Sequence, residues 1–281
     1  MTAWAHLLHE AALDALALLA PVDCAGCSAP DRALCPACRA HLEPSPRTAR
    51  LHAAGEPSLP VVAGLAYEGV ARSALLALKE EGRTELARAL APALLVAVDR
   101  GYASAAAAAA ADGAGAAGAA DATGALLVPV PGSPAAARRR GFHPAVLLAR
   151  RAGLHPVSVL RLTDDGHGPQ KSRRLNERVA ETRPITARRR LDGRTVIVLD
   201  DVVTSGATLL AAAAALRAAG AIVAGAVALA ATPRRFGVAA VEWRITGVDP
   251  EPSPALPPSR FRRDAGAMQM GQPLTFRLHE D

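Results

Sequence analysis

The stretch Val196–Leu209, VIVLDDVVTSGATL, is the most informative part of the chain for its fold. Its four leading apolar residues, mostly β-branched, predict a buried strand, which we place at Thr195–Leu199. Two adjacent carboxylates, Asp200 and Asp201, follow directly, and a helix is expected over Thr208–Ala219. A strand that leads through a short polar turn into a helix is typical of α/β domains, whose ligands bind at the carboxyl ends of parallel strands.

The turn between this strand and this helix has the composition of an anion site. Backbone N–H groups converge at a helix N-terminus, and a glycine lets the backbone approach the ligand. The two preceding acids can accept hydrogen bonds from vicinal hydroxyls or hold waters of a Mg²⁺ ion. Together these features suit a sugar phosphate; the alternative is that the polar residues only cap the helix, which explains one of them but not two consecutive acids. The turn comprises Thr204, Ser205, Gly206, Ala207 and Thr208.

All four cysteines lie within fifteen residues, as Cys24-x2-Cys27 and Cys35-x2-Cys38. Two such turns supply the four thiolates of a closed tetrahedral site, so we predict structural rather than catalytic zinc. The segment is too short to bury a core of its own, and a metal would hold it together. The alternatives are two disulfides or four unliganded thiols, and a reducing compartment argues against the disulfides.

The rest of the chain predicts an α/β domain with a parallel sheet, because strand-type and helix-type segments alternate. Further strands are expected at Val61–Tyr67, Ala125–Val130, Val157–Leu160 and Ile222–Ala230, with an edge strand near Val241–Thr246. Helices are expected over Arg72–Val98, broken near Gly82 and Pro92, and over Pro144–Ala152. The domain boundaries we infer are an N-terminal helix at 1–20, a zinc-binding module at 21–44, a Pro-rich linker at 44–60, the main domain at 60–235 with a low-complexity Ala/Gly insertion at 101–124, and a Pro-rich tail at 236–281.

The charge balance says little about partners. The chain carries a formal net charge of +6, but its basic residues are 30 arginines and only 2 lysines, a bias typical of GC-rich coding. The basic composition is therefore a weak indication of nucleic-acid binding. No apolar run is expected to reach the roughly 18 residues that a membrane span needs. Glu10 and Asp14 interrupt the apolar N-terminal stretch, which argues against a signal peptide, and we expect a cytoplasmic protein.

Several segments together resemble the ComF (competence protein F) branch of the type I phosphoribosyltransferases. VIVLDDVVTSGATL is similar to the phosphoribosyl pyrophosphate (PRPP) motif of that superfamily. The resemblance extends to the four-cysteine module, to YEGVARSALLALKEEGRTELA (67–87), to LLVPVPGSPAAARRRGF (126–142) and to ALRAAGAIVAGAVALAATPRR (215–235). It implies a parallel sheet with flanking helices, preceded by a small zinc module.

The resemblance also implies roles for individual residues. Asp200 and Asp201 would bind the ribose hydroxyls, directly or through Mg²⁺, and the turn from Thr204 to Thr208 would hold the 5′-phosphate. A pyrophosphate-side loop would be formed by Val130, Pro131, Gly132 and Ser133. Arg138–Arg140, in a loop, would lie near the leaving pyrophosphate, and Arg140 joins the two acids as a candidate catalytic residue. Lys79 matches a lysine of the family, whereas His143-Pro144 stand where the family usually has Asn-Gln.

The function implied is a Mg²⁺-dependent transfer of a phosphoribosyl group from PRPP to an acceptor that the sequence does not name. His143 and Glu177 are candidates for a general base. The alternative implied by the resemblance is a non-catalytic accessory protein in DNA uptake, which would bind single-stranded DNA or a helicase partner. A steep salt dependence of DNA affinity would favour that alternative.

Overall fold

The computed structural model describes residues 22–111, 124–163 and 184–232, and the backbone of 244–245. The strands are β1 (Arg47–Leu51), β2 (Leu59–Ala66), β3 (Leu126–Pro129), β4 (Leu160–Leu162), β5 (Ile185–Ala187), β6 (Thr195–Val203), β7 (Ile222–Ala231) and β8 (Arg244–Ile245). The helices are α1 (Pro36–Ala40), α2 (Gly69–Glu80), α3 (Ala87–Ala111), α4 (Pro134–Arg140), α5 (Pro144–Arg151) and α6 (Ala207–Ala218), and a 3₁₀ turn (Thr84–Leu86) precedes α3. The predicted helix at 1–20, Glu177 and nearly all of the tail lie outside the described residues.

The main sheet has six strands in the order β3-β6-β7-β2-β1-β8. The first four strands run parallel to one another. Strand β1 pairs antiparallel with β2, and β8 pairs antiparallel with β1. In the centre, Val198 of β6 pairs with Val128 on one side and Ala226 on the other. The predicted α/β class with a mainly parallel sheet is confirmed.

Helices cover both faces of the sheet, so the parallel strands are buried on two sides, as such sheets require. On one face α2, α3 and α5 pack with the cysteine module into a single apolar cluster that includes Leu75, Leu94 and Leu148. On the other face α6 and the antiparallel pair β4–β5 form a second cluster with Leu209 and Leu216.

Helix α3 differs from the expected broken helix. It continues through Pro92, and the flanking residues Leu90, Ala93 and Leu94 are all fully buried. Their packing outweighs the hydrogen bond that a proline cannot donate. Close approach to the sheet is possible because Gly64 of β2 has no side chain: a Cβ there would overlap the carbonyl oxygen of Ala93.

The same helix takes up the first part of the alanine-rich segment, which we had expected to be an insertion without packing. Ala105 is buried and Tyr102 donates a hydrogen bond to the carbonyl of Ala125 at 2.9 Å. Alanine has the highest helix propensity, so this continuation needs few side-chain contacts. By length and composition Thr84–Ala111 is long and apolar enough to cross a membrane, although charged residues at 88, 99 and 100 divide its apolar residues into shorter runs. Its buried residues nevertheless pack on the sheet, as in a core helix.

Three further segments differ locally from expectation. Strand β1 lies inside the segment that we had interpreted as a linker. The arginine triplet lies in a short helix rather than in a loop: Ser133 caps α4 at its start, and Gly141, with φ of 73°, ends it. Strand β6 does not end before the acids but runs through them to Val203.

Candidate functional site

The acid pair lies at the carboxyl end of β6, in the middle of the parallel strands. Asp200 lies opposite Ala228 of β7 in the sheet, so the strand pairing fixes the backbone positions of both acids. The Asp201 N–H donates to Oδ1 of Asp200 at 2.8 Å. Burial, and next the charge of Asp201, raise the pKa of Asp200 from 3.8 to about 8. Two adjacent carboxylates that resist simultaneous ionisation form a site suited to a cation.

Lys79, on the last turn of α2, supplies the positive charge at this site. Its Nζ lies 2.9 Å from Oδ2 of Asp201, and both side chains are less than one-fifth exposed. The chain has only two lysines, so a lysine at this position indicates that its charge has a specific role. The resemblance had pointed to Lys79, but its partner, 122 positions away along the chain, could not be read from the sequence.

The turn after β6 presents hydroxyl groups to solvent at the start of α6. Thr204, Ser205 and Thr208 are exposed, whereas Gly206 is buried. Gly206 is the N-cap residue with φ of 79°, and a Cβ there would lie 2.6 Å from Cδ1 of Leu51. The turn therefore requires glycine both for its backbone conformation and for the space that it occupies.

Helix capping explains only a small part of this turn. The N-cap residue has no side chain, and Ser205 Oγ accepts one hydrogen bond, from the Ala207 N–H at 3.3 Å. Thr204 and Thr208 are exposed on either side of Gly206, and the first N–H groups of an α-helix have no partner within the helix. This arrangement matches the N-terminal anion sites of α/β proteins.

The predicted loop Val130–Ser133 lies beside the acid pair because β3 is the parallel neighbour of β6. The Val130 N–H donates to the carbonyl of Leu199, the residue before the acids, at 2.9 Å. Ser133 Oγ accepts from the Ala136 N–H at 3.1 Å and so starts α4. The exposed Gly132 approaches the imidazole of His143, since a Cβ there would lie 3.0 to 3.1 Å from the ring. The structure thus brings this loop to the same edge as the acids.

Arg140 and His143 complete the cluster. Arg140 donates to Oε1 of Glu80 at 2.6 Å, and Arg139 lies 3.5 Å from the other oxygen of that carboxylate. Burial lowers the pKa of His143, while the nearby carboxylate of Asp201 acts in the opposite direction. His143 Nδ1 and Arg140 Nε are both buried without a hydrogen-bond partner among the described residues. Sequence reasoning missed Glu80, whose only signal was its position directly after Lys79.

The four cysteines form a second site, at the edge of the α2–α3 face. All are free, and their sulfur atoms lie within 4.8 Å of one another. The Cys27 and Cys35 sulfurs are 3.7 Å apart, close to the roughly 3.8 Å that Zn–S bonds of about 2.3 Å give in a tetrahedron. The predicted pairing of two Cys-x2-Cys turns around one centre is confirmed, and its donor set fits structural zinc.

Backbone N–H groups prepare this cluster for a cation. Burial acts to raise the pKa of Cys24, but the N–H groups of Cys35 and Gly26 donate to its sulfur at 3.3 and 3.4 Å. The balance lowers the pKa of Cys24 to about 6, whereas burial and the neighbouring thiols raise the pKa of Cys38. A metal ion would favour the thiolate form of all four.

The fold and the site together define a class: an α/β domain in which a helix N-terminus suited to an anion lies beside a carboxylate pair, with a separate cluster of four cysteines whose spacing fits a metal ion. Comparison with known families makes this more specific. Residues 136–244 match the family model of the phosphoribosyl transferase domain, a match that runs from α4 through β6, α6 and β7 to β8. It supports a place for this part of the chain in the type I phosphoribosyltransferase superfamily. No curated protein matches the chain.

Proposed function

We propose that the chain is a Mg²⁺-dependent phosphoribosyltransferase of the ComF family, which transfers a phosphoribosyl group from PRPP to an acceptor. One observation carries the proposal: the carboxylate pair, the exposed hydroxyl turn and the loop after β3 meet at one edge of the sheet. This is the place where open α/β sheets bind ligands. The phosphoribosyl transferase match covers the first two of these features completely.

Each part of the site would hold one part of PRPP. The turn from Thr204 to Thr208 would bind the 5′-phosphate through N–H groups and hydroxyls. Asp200 and Asp201 would accept hydrogen bonds from the ribose hydroxyls and hold a Mg²⁺ ion, which their oxygen donors fit. The loop Val130–Ser133, together with Arg140, would bind the pyrophosphate.

The chemistry requires positioning and neutralisation of charge. Pyrophosphate leaves from the anomeric carbon as negative charge grows on its bridging oxygen, so groups that stabilise that charge lower the barrier. Arg140 and the N–H groups of Gly132 and Ser133 can do so from this chain. Mg²⁺, when bound, would neutralise the departing oxygens as a Lewis acid.

His143 is the described residue best placed to take a proton from an acceptor. Its lowered pKa keeps the imidazole neutral near pH 7, so that a free nitrogen can accept. Its ring lies beside Gly132 and close enough to Asp201 to be affected by that charge, so it stands at the edge of the sheet where the acid pair lies. We therefore propose His143 as the base. We also propose a cytoplasmic location, which is in keeping with the four free cysteines.

Calorimetric titration with PRPP, with and without Mg²⁺, tests the proposal. We expect micromolar binding that requires Mg²⁺ and falls at least about 30-fold in the Asp200→Asn, Asp201→Asn double variant, because the cation loses both carboxylates. Asp192→Asn is the matched control, since Asp192 is an exposed carboxylate paired with Arg190. Zinc content should be the same in all three proteins.

Absence of PRPP binding at millimolar ligand would contradict the proposal. Single-stranded DNA binding that survives in the double Asn variant would then favour the DNA-uptake alternative, with its helicase or DNA partner. A binding result as expected would justify a screen of acceptors for pyrophosphate release.

A further inference from the structure

The last turn of α2 places two opposite charges against the proposed PRPP site. Lys79 contacts Asp201 at 2.9 Å, and the next residue, Glu80, contacts Arg140 at 2.6 Å. Both partners are residues to which we assign ligand-binding roles, one for the cation and one for pyrophosphate. An ammonium group therefore stands where a metal ion would bind, and a carboxylate stands where a phosphate oxygen would bind.

We propose that Lys79 and Glu80 are internal counter-ions that occupy the cation and pyrophosphate positions in the ligand-free chain and are displaced when the magnesium salt of PRPP binds. The inference rests on the proposed function, because it uses the same site. It adds two residues that neither the family match nor the PRPP motif includes. They act by changing the affinity and order of binding, and we call them the counter-ion pair.

The exposure of the two side chains makes an exchange feasible. Glu80 is 52 % exposed, so its carboxylate can turn into water once phosphate oxygens compete for Arg140. Lys79 is only 19 % exposed and is held on a helix whose inner face is buried. Displaced from Asp201, its ammonium stays within the site and faces the anionic ligand. Glu80 is therefore a competitor of the ligand, whereas Lys79 first competes with the cation and afterwards attracts the anion.

A purely structural role makes a different prediction. If the two ion pairs only fasten α2 and α4 to the sheet edge, their removal would loosen the site and weaken every ligand. If they are counter-ions, removal of Glu80 strengthens anion binding. Removal of Lys79 strengthens the binding of a cation in the absence of PRPP, but it weakens the binding of Mg²⁺-PRPP. The structural role thus predicts weaker binding of every ligand, whereas the counter-ion role predicts stronger binding of the isolated anion or cation.

The test uses the full chain and three probes: pyrophosphate without metal, Mn²⁺ alone followed by electron paramagnetic resonance, and Mg²⁺-PRPP by calorimetry. We expect Glu80→Gln to bind pyrophosphate about threefold more tightly, the scale of a half-exposed ion pair. The matched control is Glu81→Gln, since Glu81 is exposed and directly follows Glu80. That control should leave all three affinities unchanged.

Lys79→Met keeps the aliphatic stem and removes the charge. We expect it to bind Mn²⁺ about threefold or more tightly and Mg²⁺-PRPP more weakly. If the wild type binds Mg²⁺-PRPP but Glu80→Gln binds pyrophosphate no more tightly than the wild type does, the counter-ion role is refuted while the proposed function stands. Failure of the wild type and all variants to bind Mg²⁺-PRPP would refute the proposed function instead.

Discussion

Replacement of Asp200 by asparagine should stabilise the ligand-free protein. Burial and the charge of Asp201 raise the pKa of Asp200 from 3.8 to about 8. Between these two values the folded chain holds a proton that the unfolded chain releases, so stability falls as the pH rises through this window. Asparagine resembles the protonated acid and keeps an oxygen that can accept from the Asp201 N–H.

The magnitude follows from the width of the window. A shift of about four units at about 1.4 kcal/mol per unit gives about 6 kcal/mol as the upper limit. Local relaxation of the folded chain offsets part of it, so we expect the stability of Asp200→Asn to exceed that of the wild type by about 2 kcal/mol or more at pH 8.5. Well below pH 3.8 the two proteins should become nearly equal in stability, since residue 200 is then neutral in both the folded and the unfolded state.

Urea unfolding at pH 4, 6, 7 and 8.5 measures this difference, with equal m-values as the condition for comparison. The control is again Asp192→Asn, whose carboxylate has a pKa lowered by its hydrogen bond with Arg190 and should gain nothing at high pH. A stability difference that does not grow between pH 4 and 8.5, or an Asp200→Asn variant less stable than the wild type at pH 8.5, would refute the reasoning.

Three further predictions concern the scaffold. Cys38→Ser should reduce bound zinc well below one ion per chain, measured by atomic emission, and lower the melting temperature, because structural zinc contributes folding energy. Gly64→Ala should cost about 3 kcal/mol in urea unfolding, since the new Cβ would overlap the carbonyl of Ala93; a cost under about 0.5 kcal/mol would contradict the close approach. Tyr102→Phe should cost about 1 kcal/mol, because it removes only the hydrogen bond to the Ala125 carbonyl, and an unchanged stability would show that this end of α3 is not attached.

The sequence predicted the centre of the fold because local and long-range requirements agree there. The run VIVL is apolar and mostly β-branched, and the structure buries all four residues between parallel neighbours. The glycine at 206 is required by the backbone of the turn itself, so the turn could be recognised from its composition. The paired Cys-x2-Cys turns are likewise local, and their spacing sufficed to predict one metal centre.

Where the sequence misled, distant packing decided the outcome. Strand β1 lies among prolines and looked like a linker, yet it pairs with β2 along five residues and its Leu51 fills the space beside Gly206. Helix α3 was expected to break at Pro92, but burial of the residues around the proline holds it together. Neither effect has a signal in the local pattern, because both depend on which surface the segment meets.

The cysteine module and the acid pair, separate in sequence, are joined by one helix. The module packs on α2 near Val70, and Arg83, just beyond the end of α2, donates to the Ala33 carbonyl of the module at 3.1 Å. Between these two contacts the same helix carries Lys79 to Asp201. A closed four-thiolate centre has no open position for chemistry. Because the module contacts α2 near both of its ends, we expect its loss to move the helix and with it the ammonium group that contacts the Asp201 carboxylate.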